Sequence, residues 1–388
     1  MIHVSEPDLS GKESEYVAEC FKNNWISHGS FAAKAEAMFA SLCNTNHCVM
    51  VNSGSSALHL ALKAAGVGPG DEVICPSLTY FATVAAIAQV NATPAFCDVS
   101  SDTWCIEAQS IEERITPRTK AILLVDLYGN VPDLDSIIEL AKIHNLTLID
   151  DSAEAHGALY KGRSVAELVD MACYSFYANK VITSAEGGAV VTSNPKLAAH
   201  LKILRGQGQH PHQRFNHPVV GFNFRMTDLQ AAVLCAQIER FDSIIAKRRR
   251  IFDTYQKLLK DIPGIWIKPT PSYCRATPWL FTITVNKIQY GHSRDELMEY
   301  LSGKGVETRP LFSPAHLMVP FRDRSTLSGE YLPITEDLAR TGMNLPTYNN
   351  LTQKQVRYIC SLIRSYAEVS THGDVADILM RLFANPNA

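Results

Sequence analysis

The chain has 388 residues, of which 46% are hydrophobic and 19% charged, a composition that excludes a disordered protein and an isolated small module. Its formal charge of −3 lacks the basic field that is typical of proteins that bind nucleic acid or an anionic membrane. We therefore expect a globular protein that binds neither.

The first residues and the cysteines predict a cytoplasmic protein. Residues 1–16 contain Glu6, Asp8, Glu13 and Glu15, whereas a signal peptide has a basic start and an apolar middle. No run of the chain approaches the roughly 18 apolar residues of a membrane helix. The 10 cysteines form no close C-x-x-C pair, and several lie in apolar runs. This pattern favours buried, reduced thiols over zinc ligands or a cysteine nucleophile.

Short apolar runs alternate with helical patterns from Cys48 to about Ser193, which is typical of a mostly parallel, doubly wound sheet. The predicted strands are Cys48–Asn52, Glu72–Pro76, Pro94–Asp98, Lys120–Leu127, Leu146–Asp151, Met171–Phe176 and Gly188–Thr192. Helical patterns lie between them at Ala57–Ala65, Thr83–Val90 and Leu134–His144. The glycines of residues 66–70 follow a helix and precede a strand, the reverse of a Rossmann loop, and therefore predict a turn.

One long amphipathic helix is predicted after the sheet, because an apolar stripe continues from Leu234 to Leu259 and residues 227–230 form a capping box. The basic run of residues 247–250 on this helix predicts a solvated face in preference to a nucleic-acid contact. A smaller α/β portion follows from about Ile265, with a short helix at Val375–Phe383. We expect a large domain over residues 1–245 and a small C-terminal domain over 246–388.

Ligands of an open α/β sheet bind beyond the carboxyl ends of its strands, so the polar residues that follow each strand are candidate site residues. The first strand leads through Gly54, Ser55 and Ser56 into a helix, where free backbone N–H groups suit a phosphate. An ordinary serine N-cap is the alternative. After the second strand, Tyr80 could stack on a flat ring or pack in the core.

Two adjacent carboxylates, Asp150 and Asp151, end a strand that we expect to be buried on both faces. A carboxylate buried there needs a cationic or hydrogen-bonding partner, and a protonated ring nitrogen would serve. Metal binding by these two residues with Glu154 and His156 is the rival interpretation. Their spacing has no strong metal-site signature, so no metal is predicted.

Lys180 follows the strand that ends in Phe176. Burial would lower the pKa of such a lysine and make its amine a nucleophile for carbonyls, as in Schiff-base chemistry. A surface lysine is the alternative for this residue alone. Together, the phosphate-binding turn, the aromatic ring, the buried carboxylate and the lysine meet the needs of pyridoxal 5'-phosphate.

The segments Ser175–Gly188 and Gly221–Ala232 are the most specific part of a resemblance that extends over nearly the whole chain, from Asn24 to Thr347. On these segments the sequence resembles the DegT-type nucleotide-sugar aminotransferases. One departure is Ala185, at a position where glycine is common in the family. The resemblance implies the aspartate-aminotransferase fold, fold type I, in which a large α/β domain with a mostly parallel seven-stranded sheet precedes a smaller C-terminal α/β domain.

The resemblance also implies roles for individual residues. Lys180 would bind the cofactor covalently, and Asp151 would pair with its pyridine nitrogen. The other cofactor contacts would come from the residues Ser55, Ser56 and Ser175 at the phosphate, Tyr80 stacked on the ring, Glu154 beside the ring and Asn223. Asn223 would reach the phosphate in the neighbouring subunit, which implies a homodimer with shared active sites and leaves a higher oligomer open. Arg225, Arg309 and His316 are candidates for the nucleotide-sugar side.

The implied reaction transfers the amino group of L-glutamate to the C4 ketone of a nucleotide-linked 4-keto-6-deoxy sugar, with GDP-4-keto-6-deoxymannose as the favoured acceptor. The alternatives are a dTDP- or UDP-linked keto sugar, a pyridoxal-phosphate sugar dehydratase, and a sensor or scaffold without activity. A dehydratase of this family has histidine in place of the lysine, so Lys180 favours amino transfer. The resemblance points to bacterial O-antigen or other lipopolysaccharide synthesis.

Overall fold

The computed structural model describes residues 1–322 and 331–367, so the helix predicted at Val375–Phe383 lies outside the described residues. The named helices are α1 (Glu13–Lys22), α2 (Ser30–Leu42), α3 (Gly54–Ala64), α4 (Phe81–Gln89), α5 (Ala108–Glu112), α6 (Leu134–Ile143), α7 (Pro195–Arg205), α8 (Asp228–Glu239), α9 (Phe241–Leu259), α10 (Lys287–Tyr290), α11 (Arg294–Gly303) and α12 (Pro333–Thr341). Residues 353–367 are also helical. None of the described helices is both long enough and apolar enough to cross a bilayer.

Among the described residues, the strands form three sheets. They are β1 (His47–Val51), β2 (Glu72–Pro76), β3 (Thr93–Cys97), β4 (Thr119–Val125), β5 (Thr147–Asp151), β6 (Leu159–Tyr160), β7 (Arg163–Ser164), β8 (Met171–Ser175), β9 (Gly188–Thr192), β10 (Ile265–Ile267), β11 (Cys274–Arg275), β12 (Phe281–Val285), β13 (Arg309–Pro310) and β14 (Gly342–Leu345). The main sheet has seven strands in the order β1-β9-β8-β5-β4-β2-β3, and β9 alone runs antiparallel to its neighbours. The seven strands predicted from the sequence are these seven, with ends that differ by about two residues at most.

Both faces of the main sheet are buried, which explains why its strands are continuous apolar runs. Side chains alternate along a strand, so Ile122 and Leu124 of β4 join one hydrophobic layer while Ala121 and Leu123 join the other. Helices α2, α6 and α8 contribute to the first layer, and α3, α4 and α7 contribute to the second. The carboxyl ends of the parallel strands therefore open at one edge of a rigid, covered sheet. All 10 cysteines are buried, as predicted.

A separate core lies around the four-stranded antiparallel sheet β10-β12-β14-β13. Ile251, Tyr255 and Leu259 of α9 pack in this core with strand residues such as Phe281 and Ile283. Helix α9 crosses residue 245, which is the predicted boundary between two domains, and that boundary stays a prediction. The third sheet, β11-β6-β7, joins residues of the main-sheet portion to the segment before β12.

The single long helix predicted from Leu234 to Leu259 is wrong, because the chain forms two helices, α8 and α9, that meet at Arg240. Arg240 has φ −108° and ψ 6°, and its guanidinium pairs with the buried Asp8. Helix α8 packs with α1 and α2, whereas α9 begins in the same core with Phe241 and Ile244 and packs with the small sheet from Ile251 onward. The capping box at Thr227 is confirmed. The solvated basic face is wrong for Arg248, which is buried and donates to two backbone carbonyls.

Candidate active site

The end of β1 and the start of α3 form a turn that suits a phosphate. Ser53, and not Ser55 or Ser56, is the N-cap, since its hydroxyl accepts from the backbone N–H of Ser56 at 3.1 Å. Ser55 and Ser56 lie in the first turn of this 11-residue helix, where the N–H groups and the helix dipole favour an anion. A Cβ on Gly54 would lie only 2.7 Å from the Cβ of Ser175, so glycine lets the end of β8 approach the turn closely.

Asp151 ends β5 and is buried close to the same edge of the sheet. Burial raises the pKa of this carboxyl, while a hydrogen bond from the Thr83 hydroxyl and the charge of Lys180 act to lower the pKa. Thr83 donates to Oδ2 at 2.7 Å, and the backbone N–H of Ala153 donates to Oδ1 at 3.2 Å. The carboxylate is thus held by donors and has a cationic neighbour, as a partner of a protonated nitrogen requires.

Lys180 follows β8 and is largely buried, with 12% of its side chain exposed. Its Nζ lies 3.8 Å from Oε1 of Glu154 and 4.0 Å from the centre of the Trp279 ring. Burial lowers the pKa of Lys180, although the charges of Glu154 and Asp151 act to raise it. Burial raises the pKa of Glu154 to about 7. The alternative of a surface lysine is therefore wrong, and the amine has the environment of a nucleophile.

Tyr80 lies at the N-cap of α4, and the alternative that it packs in the core is wrong because 59% of its surface is exposed. Its ring lies 5.7 Å from that of Phe312. Phe312 stacks on the buried Tyr128 at 5.4 Å, and Tyr128 stacks on Trp279 at 5.8 Å. This row of rings connects an exposed aromatic, which is free to stack on a ligand, to the neighbourhood of Lys180.

The remaining carboxyls and the histidine of this region are buried. Asp126 and Asp150 lie beside each other at the ends of β4 and β5, and burial raises the pKa of both, for Asp150 to about 7. His156 lies among aromatic rings, and burial lowers its pKa to about 3. Within residues 1–322 and 331–367, no group of three or more histidine, cysteine or acidic side chains is arranged to hold a metal ion.

Asn223 and Arg225 lie on a segment that pairs with the end of β1, beside the turn that leads into α3. Val51 and Arg225 form an antiparallel bridge, and the N–H of Asn52 donates to the Phe224 carbonyl at 2.9 Å. Both side chains are exposed, and Nε of Arg225 donates to Oδ1 of Asn223 at 3.1 Å. Their expected contacts to a phosphate and a sugar stay predictions.

Arg309 and His316 differ in exposure. Arg309 is exposed in β13 and pairs with Glu307 at 3.4 Å. His316 is buried, its Nδ1 lies 2.6 Å from the Ser77 hydroxyl, and its Nε2 lies 3.3 Å from Glu336. Both ring nitrogens of His316 already have protein partners. A direct role of His316 toward the sugar stays a prediction, and would require one of these contacts to be exchanged.

The residues present fit pyridoxal phosphate. The cofactor needs a buried amine for its aldehyde, a carboxylate for its ring nitrogen and donors for its phosphate. Lys180, Asp151 and the first turn of α3 with Ser175 supply these groups at the ends of β8, β5 and β1. The absence of a Cβ at Gly54 lets the first turn of α3 and Ser175 at the end of β8 lie close together.

The comparison with protein families agrees with this geometry. The model of the DegT/DnrJ/EryC1/StrS aminotransferase family matches residues 7–364. The chain belongs to this family. The resemblance read from the sequence is thereby confirmed, and so is the prediction of an aminotransferase.

Individual proteins are similar to this chain over almost their full length. A GDP-perosamine synthase of Caulobacter vibrioides is 42% identical over 364 residues, which cover 93% of this chain and 97% of that protein. The structure of Streptomyces venezuelae DesV in complex with a ketimine intermediate has a TM-score of 0.86 at 36% identity, and covers 92% of this chain and 94% of that chain. The PLP form of Streptococcus pneumoniae Spr1654 has a TM-score of 0.88 at 26% identity, with 95% and 98% covered. Fold type I and pyridoxal phosphate as the cofactor are confirmed.

Three residues of the site carry no signal in the sequence. Thr83 lies in an apolar helical pattern, and only the fold brings its hydroxyl to Asp151. Tyr128 and Trp279 are aromatic residues that are indistinguishable from core residues in sequence. The Tyr128 N–H donates to Oε2 of Glu154 at 2.7 Å, and Trp279 comes from a segment almost 100 residues beyond Lys180.

Proposed function

We propose that the protein transfers the amino group of L-glutamate to the C4 ketone of GDP-4-keto-6-deoxy-D-mannose and so forms GDP-perosamine. The observation that carries this proposal is the buried amine of Lys180 beside Asp151 and Glu154, in a chain that is 42% identical to a GDP-perosamine synthase. In the overall exchange, glutamate becomes 2-oxoglutarate, and the keto sugar gains an amine at C4.

Lys180 and Asp151 carry the proton chemistry of this proposal. When bound, the cofactor supplies an aldehyde that accepts amino groups and a ring that withdraws electrons. Asp151 holds the proton on the ring nitrogen. Lys180 removes the proton from Cα of glutamate and, in the second half of the reaction, delivers a proton to C4 of the sugar. The side of C4 that Lys180 faces then fixes the configuration of the new amine.

The other contacts of the proposed site come from the turn at α3 and the row of aromatic rings. Ser55, Ser56 and Ser175 bind the phosphate, Tyr80 stacks on the cofactor ring and Glu154 lies beside it. Asn223 reaches the phosphate bound by the second subunit of a homodimer. Arg225, Arg309 and His316 serve the nucleotide sugar. The proposed setting is the cytoplasm, with the product used for O-antigen synthesis.

The absorbance spectrum of the purified protein tests the first half of this proposal. With pyridoxal phosphate, we expect the visible band of a lysine-bound cofactor, and glutamate should convert this band to the spectrum of the amine form. Lys180→Ala should lose the band, and the surface variant Lys287→Ala should keep it. A wild-type protein without the band would refute the role of Lys180, whereas a band that does not respond to glutamate would refute the donor.

The second half is tested with nucleotide-linked 4-keto-6-deoxy sugars. With the GDP-linked substrate, we expect one 2-oxoglutarate for each amino sugar formed, and inhibition by GDP that exceeds inhibition by dTDP or UDP. Stronger inhibition by dTDP or UDP would indicate that the acceptor is a dTDP- or UDP-linked sugar. Sugar conversion without stoichiometric loss of glutamate would favour the dehydratase.

A further inference from the structure

Trp279 contacts both the amine and the peptide of Lys180. It lies in the segment that leads into β12, and only 3% of its surface is exposed. The Nζ atom of Lys180 lies 4.0 Å from the centre of its ring. Its indole N–H donates to the carbonyl of Asn179 at 2.8 Å. One buried side chain thus contacts both the peptide that precedes Lys180 and the amine at the end of the Lys180 side chain.

Two further residues, Arg248 and Tyr128, hold Trp279 in place. Arg248 donates from Nη1 to the Trp279 carbonyl at 2.9 Å. The ring of Tyr128 stacks on the indole at 5.8 Å with an interplanar angle of 15°. Tyr128 in turn donates its N–H to Glu154, the carboxylate that lies 3.8 Å from Lys180. Lys180, Trp279, Tyr128 and Glu154 thus form a closed circuit of contacts.

An indole face next to a buried amine has a specific chemical effect. Burial disfavours the ammonium form of a lysine, and the negative face of an aromatic ring opposes this because it attracts a cation, most strongly when the pair is desolvated. A ring face has no lone pair that could accept the proton. Trp279 therefore stabilises the charged form of Lys180 without competing for the proton that Lys180 must deliver.

We infer that Trp279 is a positioning residue for Lys180, which supports the ammonium group with its ring face and fixes the Asn179–Lys180 peptide with its N–H group. This inference rests on the proposed role of Lys180. It adds a determinant of proton transfer that lies far from Lys180 in the sequence and outside the set predicted from the sequence.

The experiment measures the pH dependence of cofactor capture by the full-length protein after the cofactor has been removed with glutamate and dialysis. Pyridoxal phosphate is added at a series of pH values, the rate of band formation is recorded, and borohydride trapping with peptide mass analysis identifies Lys180. Because only the neutral amine attacks the aldehyde, the midpoint of the rate profile reports the proton affinity of Lys180. Trp279→Leu should lower this midpoint by roughly half a unit to one unit.

Two further variants separate the ring face from the N–H group. Trp279→Phe keeps an aromatic face but has no N–H, so we expect a smaller shift of the midpoint together with slower capture. The control is Trp266→Leu at an exposed tryptophan, 60% of whose surface is accessible, and its midpoint should equal that of the wild type. A midpoint that is unchanged in both Trp279 variants would overturn the inference. A wild-type protein that does not capture the cofactor at Lys180 would refute the proposed function instead.

Fluorinated tryptophans keep the test decisive if Trp279→Leu fails to fold. Fluorine weakens the negative face of the indole and leaves its shape nearly unchanged. Incorporated into the otherwise wild-type protein, which has 4 tryptophans, they should lower the midpoint further with each added fluorine. The same series in the Trp279→Phe background should have no effect. An equal response in both backgrounds would exclude Trp279 as its source and overturn the inference.

Discussion

A carboxylate that holds a proton on a ring nitrogen has to stay ionised in a site that excludes water. Asp151 meets this demand with two opposing influences, since burial raises its pKa and the Thr83 hydroxyl and Lys180 act to lower it. The hydroxyl is close, at 2.7 Å from Oδ2, and Thr83 is fully buried. The hydrogen bond from Thr83 therefore helps to keep the Asp151 carboxylate ionised.

Thr83→Val keeps the shape of the side chain and removes this hydrogen bond. We expect the rate of the glutamate half-reaction to fall by about ten-fold, since a hydrogen bond to a charged group contributes about 1.5 to 3 kcal/mol. The pKa of Asp151 should rise without the donor, so the acid limb of the rate profile should move upward by roughly one pH unit. Stopped-flow recording of the cofactor spectrum across pH measures both effects.

The matched control is Thr192→Val in β9, which removes a buried hydroxyl that donates to the Asp170 carbonyl at 2.7 Å. Thr192→Val should lower the free energy of unfolding about as much as Thr83→Val does. It should leave the acid limb of the rate profile unchanged. An acid limb that moves equally in both variants, or in neither, would contradict the role given to Thr83.

Single residues of the site were predictable where they lie at or shortly after the end of a strand of the sheet. Asp151 ends one predicted strand and Lys180 follows another after a short loop, so the sequence places them at the carboxyl edge. Thr83 and Trp279 were not, because their contacts depend on where a helix and a distant segment pack. The φ of Ala185 is 69°, in the left-handed region that favours glycine. This backbone conformation agrees with the resemblance, in which glycine is common at this position.

At the scale of elements, the start of α3 lies very close to the end of β8. A Cβ at Gly54 would lie 2.7 Å from the Cβ of Ser175, a distance that real side chains do not reach. Gly54→Ala should therefore push the first turn of α3 away from Ser175. We expect the affinity for pyridoxal phosphate to fall by about ten-fold or more, as a misplaced helix N-terminus loses donors to the phosphate. Titration of the cofactor band measures the Kd.

Gly68→Ala is the control, because a Cβ at Gly68 would meet no atom within 4 Å. Its Kd should equal that of the wild type. If Gly54→Ala also binds the cofactor with wild-type affinity, the proposed phosphate site at this turn is refuted.

Elements of the sheet were predicted more accurately than the helices that follow it. Strands buried on both faces leave a continuous apolar run in the sequence, and polar turns mark their ends. The break between α8 and α9 leaves no such mark, because the apolar stripe continues across Arg240. The fold supplies what the sequence pattern lacks at this point, since the guanidinium of Arg240 pairs with Asp8 at 2.9 Å.

At the scale of the whole molecule, Asn223 and Arg225 lie where the main sheet meets the protein surface. Their segment pairs with the end of β1, yet both side chains are exposed. Exposed apolar side chains lie shortly before this segment in the chain, including Phe215, which is 80% exposed, and Val220, which is 92% exposed. A polar pair beside such residues suits a subunit interface in which Asn223 completes the site of the partner.

Mixing two inactive variants tests whether the sites of the proposed homodimer are shared. Lys180→Ala removes the nucleophile, and Asn223→Asp places a negative charge against the phosphate. If Asn223 serves the partner, a mixed dimer contains one site with both defects and one site that is intact. Random exchange of equal amounts should then restore about a quarter of the wild-type activity per site, because half of the dimers are mixed and each has one working site.

Each variant alone should stay inactive, and sedimentation should give a dimer for both. If Asn223 instead serves its own subunit, both sites of the mixed dimer carry one defect and mixing restores nothing. Differential tagging would show that the dimers exchange subunits. If they do and mixing still restores no activity, each active site is formed by residues of one chain. Restored activity would mean that the catalytic unit is the dimer, because the residues around one cofactor then come from both subunits.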